Sequence, residues 1–187
     1  KAGPFEVLPG CQATAGTGFE GHGFYEASSP RKINGKYYLV YSSEQSHDLC
    51  YAVSDQPLSG YRYGGVLVSN ADIGLNGNPT PKAPYGNTHG GLVQLDGQWY
   101  IFYHRQTHGI ECCRQGCAEP VTLDTDGNFH QAEMTSCGLN GGPLPGTGSY
   151  NAGYACNLTH ETIGRERLTI RKCVRDIQPH IFEEPAP

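Results

Sequence analysis

The chain writes the same hairpin twice. Gly23-Phe24-Tyr25-Glu26-Ala27-Ser28-Ser29-Pro30-Arg31-Lys32-Ile33 leads into Asn34-Gly35, then Lys36-Tyr37-Tyr38-Leu39-Val40-Tyr41-Ser42-Ser43. About 60 residues later, a spacing read as a structural repeat, His89-Gly90-Gly91-Leu92-Val93-Gln94-Leu95 leads into Asp96-Gly97. Gln98-Trp99-Tyr100-Ile101-Phe102-Tyr103-His104-Arg105 follows. Asn-Gly and Asp-Gly tolerate the positive φ that both central positions of a type I′ turn require. Asp126-Gly127 is a third such signal. Around these turns the first repeat reads as strands at about 24–33, 36–43, 48–54 and 61–68, and the second at about 88–95, 98–105, 112–123 and 128–134.

Alternation tells which faces are buried. Tyr37, Leu39 and Tyr41 alternate with Tyr38, Val40 and Ser42; Trp99, Ile101 and Tyr103 alternate with Tyr100, Phe102 and His104. Side chains two apart share a face, so both faces are apolar and each sheet is expected to be covered on both sides. The expected fold is all-β: a partial β-propeller, a ring of typically four to eight blades, with two blades here (roughly 20–70 and 85–135), each a four-stranded antiparallel meander. Residues 1–158 would be the C-terminal part of a propeller domain, closed by the Gly-rich stretch 138–158. Residues 159–187 would be a linker or the start of a further module, with 165–176 ambiguous between helix and strand. The N-terminus reads as cut in mid-pattern and not as a signal peptide.

Composition removes several function classes. The 187 residues carry 26 Gly, 13 Pro and 12 Tyr, which suits a turn-rich β chain. A formal charge of −5 gives no basic surface for nucleic acid, and no apolar run is long enough to span a membrane. Of eight cysteines, only Cys112, Cys113 and Cys117 cluster. They lie on an expected strand without a second pair or histidines at zinc-ligand spacing, so buried thiols are the simpler reading, with one or two disulfides left open.

Chemistry would concentrate where the inner strands meet the central funnel. Glu26 follows Phe24 and Tyr25 there; a carboxyl walled by aromatics is poorly solvated, which raises its pKa toward the range a general acid needs. Taken alone, a solvated strand-end glutamate explains it as well. His89 occupies the matching place in the second repeat. His22, in Gly21-His22-Gly23, would line the funnel or serve structure. Asp48, Asp55, Asp72 and Glu119 are further carboxylates, each read as solvated. Asp72 lies in the long loop 70–87, and long loops are often functional. Tyr25, Trp99 and Tyr103 could stack on a flat ligand ring or pack between blades. Ser28-Ser29 and Ser42-Ser43 lack a nucleophile elbow, and His104 and His108 do not share a helical face for zinc. Asn157-Leu158-Thr159 is a formal glycosylation sequon.

The Glu26 segment resembles the general-acid segment of glycoside hydrolase family 43, and Asn87-Thr88-His89-Gly90-Gly91 with the hairpin through Arg105 resembles that family's final-blade segment. The stretches Gln115 to Pro120 and Glu133 to Leu144 are similar to members acting on plant cell-wall glycans. The resemblance spans about residues 17–158. It implies a five-bladed propeller of inverting enzymes, mostly β-xylosidases, α-L-arabinofuranosidases and arabinanases. It implies Glu26 as general acid, His89 near the funnel centre with a water-mediated link to calcium, and Arg105, Tyr25 and His22 as residues lining or binding substrate. No cofactor is required, and calcium would be structural. The family's general base and its pKa-tuning aspartate match no segment of this chain. The partners implied are a carbohydrate substrate and missing N-terminal blades of the same protein.

The leading expectation is therefore an inverting glycoside hydrolase for arabinose- or xylose-containing glycans, with this piece inactive by itself. The alternatives are a non-catalytic carbohydrate-binding propeller and a structural propeller for protein contacts. Polysaccharide substrates favour a secreted or periplasmic setting over a cytoplasmic one, whereas the scattered thiols favour a reducing one.

Overall fold

The computed structural model describes residues 8–10, 14–107, 110–135, 137–142, 145 and 147–149, with the side chains of 107 and 110–113 excepted. The closing strand expected beyond 149, the 165–176 stretch, the linker 159–187, His108 and the Asn157 sequon lie outside these residues. So do the N-terminal residues 1–7 and the side chains of Cys112 and Cys113. The chain divides into two compact units, Lys1–Thr135 and Ser136–Pro187. In the second unit, Asn140 N donates to Cys137 O at 3.1 Å.

The first unit holds two antiparallel sheets. One is the meander β1 (Phe24–Ile33), β2 (Lys36–Ser43), β3 (Asp48–Ser54) and β4 (Arg62–Ser69). The other is β5 (Gly90–Leu95), β6 (Gln98–Thr107) and β7 (Ile110–Val121). The β1–β2 turn has Asn34 at φ 48 and Gly35 at φ 83, and the β5–β6 turn has Asp96 at φ 47 and Gly97 at φ 84. Both centres are left-handed, as a type I′ hairpin demands.

The fourth strand expected at 128–134 does not form. Its residues are shared between the sheets: Leu123 bridges Phe129, while Ala132 bridges Val68 in parallel and donates its N–H to Leu67 O at 2.8 Å. The Asp126-Gly127 turn differs as well. Only Gly127 is left-handed (φ 88), and the Asp124 carboxylate accepts N–H bonds from Asp126 at 2.9 Å and Asn128 at 2.8 Å. The acidic side chain closes this turn, which therefore needs one left-handed residue instead of two.

The two sheets pack face to face. Ile33, Tyr38, Val40, Leu49, Tyr51 and Val53 of the first meet Leu92, Ile101, Tyr103 and Val121 of the second, with Phe129 among them. Phe129 is edge-on to both Tyr38 and Tyr51, and its N–H donates to Tyr51 Oη at 3.0 Å. Such aromatic pairs add roughly 0.5–1.5 kcal/mol beyond the area they bury. Arg31 crosses between the sheets, donating from Nε to Leu92 O at 2.7 Å. Phe19, Tyr41, Cys50 and Ala52 form a second apolar cluster. The strand alternation thus sends Tyr38 and Val40 to one cluster and Tyr41 to the other. Tyr103 and Trp99 pack into the inter-sheet core.

Candidate active site

Glu26 stands at the start of β1, paired with Ser42 of β2. The register slips on either side of it, and Ala27 sits at φ 60. A bulge of this kind re-aims a side chain at a sheet edge. His89 immediately precedes β5. Its neighbour Thr88 is fully buried and clamped twice, with Ser42 Oγ donating to its carbonyl and its own Oγ1 donating to His104 O at 2.9 Å. These anchors bring His89 Nε2 to 2.8 Å from Glu26 Oε1, with both side chains 42% exposed. The His104 ring lies edge-on to His89, 5.3 Å between centroids. Burial first, then the nearby Arg114 charge, lowers the His104 pKa.

An open cleft of about 580 Å³ is lined in part by Tyr25, Ser43, Glu44, Asn87 and Gln106; neither Glu26 nor His89 is among its lining residues. Tyr25 is 61% exposed, so its ring faces solvent and does not wall Glu26. Phe24 leans on Tyr41 at 5.7 Å. Arg105 is half-buried on β6 opposite Gln115, and its charge favours the ionised form of Glu119. His22 lies against Asp48, its Nδ1 3.1 Å from Oδ2, and stacks on Tyr63 at 5.0 Å.

Three carboxylates expected to be solvated are buried instead, because each is used as an internal acceptor. Asp48 takes Ser43 Oγ and His22. Asp72 takes Met134 N at 2.7 Å and Lys82 Nζ at 3.0 Å, which places it as an anchor of the 70–87 loop. Glu119 takes Thr135 N and Oγ1, each at 2.7 Å, and Tyr103 Oη at 3.2 Å. Asp55 is exposed, as expected. Sequence reasoning passed over Ser42 and Thr88, although Thr88 stands next to His89 in the Asn-Thr-His-Gly-Gly run.

The model of glycosyl hydrolases family 43 matches residues 9–129. The chain belongs to this family. A xylosidase/arabinosidase of Thermoclostridium stercorarium is 49% identical over 158 residues, covering 83% of this chain and 33% of that protein. This family 43 chain thus spans about a third of the length of that relative. Among solved structures, an arabinoxylan arabinofuranohydrolase of the family from Bacillus subtilis, in complex with cellotetraose, is 22% identical. It covers 62% of this chain and 26% of that one with a TM-score of 0.51, a likeness of fold. A β-xylosidase/α-arabinofuranosidase of the family from a compost metagenome, in complex with xylotriose in a calcium-free form, is 30% identical. It covers 58% of this chain and 30% of that one, with a TM-score of 0.48.

Proposed function

We propose that this chain supplies the general acid of an inverting glycoside hydrolase that cleaves arabinose- or xylose-containing glycans of plant cell walls. Glu26 is that acid. The observation that carries this reading is the half-exposed Glu26–His89 bond between the two repeats, in a chain of family 43. With Nε2 protonated, His89 donates to Oε1 and fixes the carboxyl plane, leaving Oε2 to carry the proton. In the reaction that proton passes to the glycosidic oxygen as the C–O bond breaks. A water deprotonated by a base on the opposite face attacks the anomeric carbon, with the carboxyls about 6.5–9.5 Å apart.

The base is read as lying outside the residues described, because the family's general-base segment matches none of this chain. Asp48, Asp72 and Glu119 are consumed by internal bonds, and Asp55 stands in solvent. The piece by itself is therefore expected to turn over no substrate. Polysaccharide substrates favour a secreted or periplasmic enzyme. A structural calcium linked to His89 through water, as the family resemblance implies, would leave the His89–Glu26 bond in place. No step is routed through that ion.

In the full-length protein, Glu26→Gln should abolish hydrolysis of glycosides with poor leaving groups while leaving sugar binding near wild type. Unchanged turnover of those substrates would refute the assignment.

A further inference from the structure

We propose that His22, Asp48 and Cys50 form a binding site for a zinc-class divalent cation. Asp48 and Cys50 are two apart on β3 and so share a face, and His22 reaches them from the segment leading into β1. His22 Nδ1 lies 3.1 Å from Asp48 Oδ2 and 3.8 Å from Cys50 Sγ. All three donor atoms fall within 4.8 Å of one another. Donors around a tetrahedral zinc stand about 3.3–3.6 Å apart, from bonds of about 2.0–2.3 Å. The trio thus already spans nearly the edges of that polyhedron.

The donor types choose the ion. One thiolate, one imidazole and one carboxylate suit a borderline metal such as zinc and are wrong for calcium or magnesium. Three protein ligands also leave a fourth position for water. Asp48 and Cys50 are buried, while His22 is partly exposed and gives the ion a way in.

The surroundings orient the ligands as outer-shell groups do around metals. Ser43 Oγ holds the other Asp48 oxygen, Oδ1. Tyr63 stacks on the His22 ring within 9° of parallel, and Tyr41 Oη donates to His22 O at 2.8 Å. A simple His–Asp hydrogen bond accounts for two of the three residues. The apolar cluster with Phe19, Tyr41 and Ala52 accounts for the burial of the thiol, and a shared cation accounts for its approach to the same nitrogen.

On binding, the Cys50 S–H bond breaks, its proton leaves to solvent, and Sγ bonds the cation. Any proton on His22 Nδ1 is likewise lost or moves to Nε2, freeing the Nδ1 lone pair.

The test is to strip the full-length protein of metal and titrate it with Co²⁺, then to measure Zn²⁺ stoichiometry by equilibrium dialysis. We expect one equivalent to bind, with a thiolate-to-cobalt band in the near ultraviolet and the visible bands of a tetrahedral ion. Cys50→Ser, which keeps the side-chain shape, should erase the thiolate band. His22→Ala should weaken binding at least tenfold, and Cys117→Ser should leave both readouts intact. Absence of a band, a band that survives Cys50→Ser, or binding indifferent to His22→Ala would each overturn the proposal.

Discussion

His89 Nε2 and Glu26 Oε1 meet at 2.8 Å although they come from two different sheets, 63 residues apart. A proton donor held by one such bond should lose aim when the bond goes, and a misplacement near 1 Å can cost about 10²-fold. His89→Ala in the full-length protein is expected to lower kcat roughly 10–100-fold for glycosides with poor leaving groups. Activated aryl glycosides, which need little protonation, should be affected less. An equal loss on both substrate types would point to a structural role for His89.

Gly90 tests the same relationship from the backbone. A Cβ there would overlap the Phe102 carbonyl and come within 2.7 Å of Leu49 Cδ1. Neither neighbour can yield, since one is ladder backbone and the other lies in the inter-sheet core. Gly90→Ala should cost about 1–3 kcal/mol, as overpacking usually does, and should disturb His89 next door. Denaturant unfolding gives the first quantity, and kcat on the same protein gives the second.

The two hairpins were legible because their turn chemistry and alternation agree; β1, β2 and β3 fall where Asn34-Gly35 and the tyrosine pattern put them. The meeting of Glu26 with His89 was also implied, since equivalent strand ends of stacked sheets come together. The course of residues 128–134 was not legible. Their alternation suits a strand, yet Ala132 bonds to Leu67, an edge that no local pattern reveals. The burial of Asp72 and Glu119 was hidden for the same reason: the groups that satisfy them, such as Met134 N and Thr135, come from distant segments.

Glu119 should make stability depend on pH. Burial outweighs its three hydrogen bonds and the Arg105 charge, so its folded pKa lies above the unfolded value. A raised folded pKa contributes stability that is complete below the unfolded pKa, about 4.3, and is lost as pH rises through the folded one. Glu119→Gln keeps the acceptor for Thr135 N and offers a donor to Thr135 Oγ1, without the buried charge. The variant should match wild type in Tm near pH 4 or below and gain on it as pH rises. A Tm difference that stays constant with pH would contradict this account.

Ala27 is the strained link behind Glu26. At φ 60 it occupies the left-handed region, where an L side chain costs roughly 1–2 kcal/mol. It sits inside a register slip, between the Glu26–Ser42 and Ser29–Val40 pairs. Glycine relieves that strain but gives the unfolded chain more freedom, so the two effects partly offset. Ala27→Gly is expected to raise stability by up to about 1 kcal/mol, whereas the β-branched Ala27→Val should lower it. Kinetics then separate strain from aim. If the bulge holds Glu26 toward its substrate, the looser glycine should reduce kcat several-fold even as the protein becomes more stable. A stabilised Ala27→Gly enzyme with undiminished kcat would mean that His89 alone sets the position of the acid.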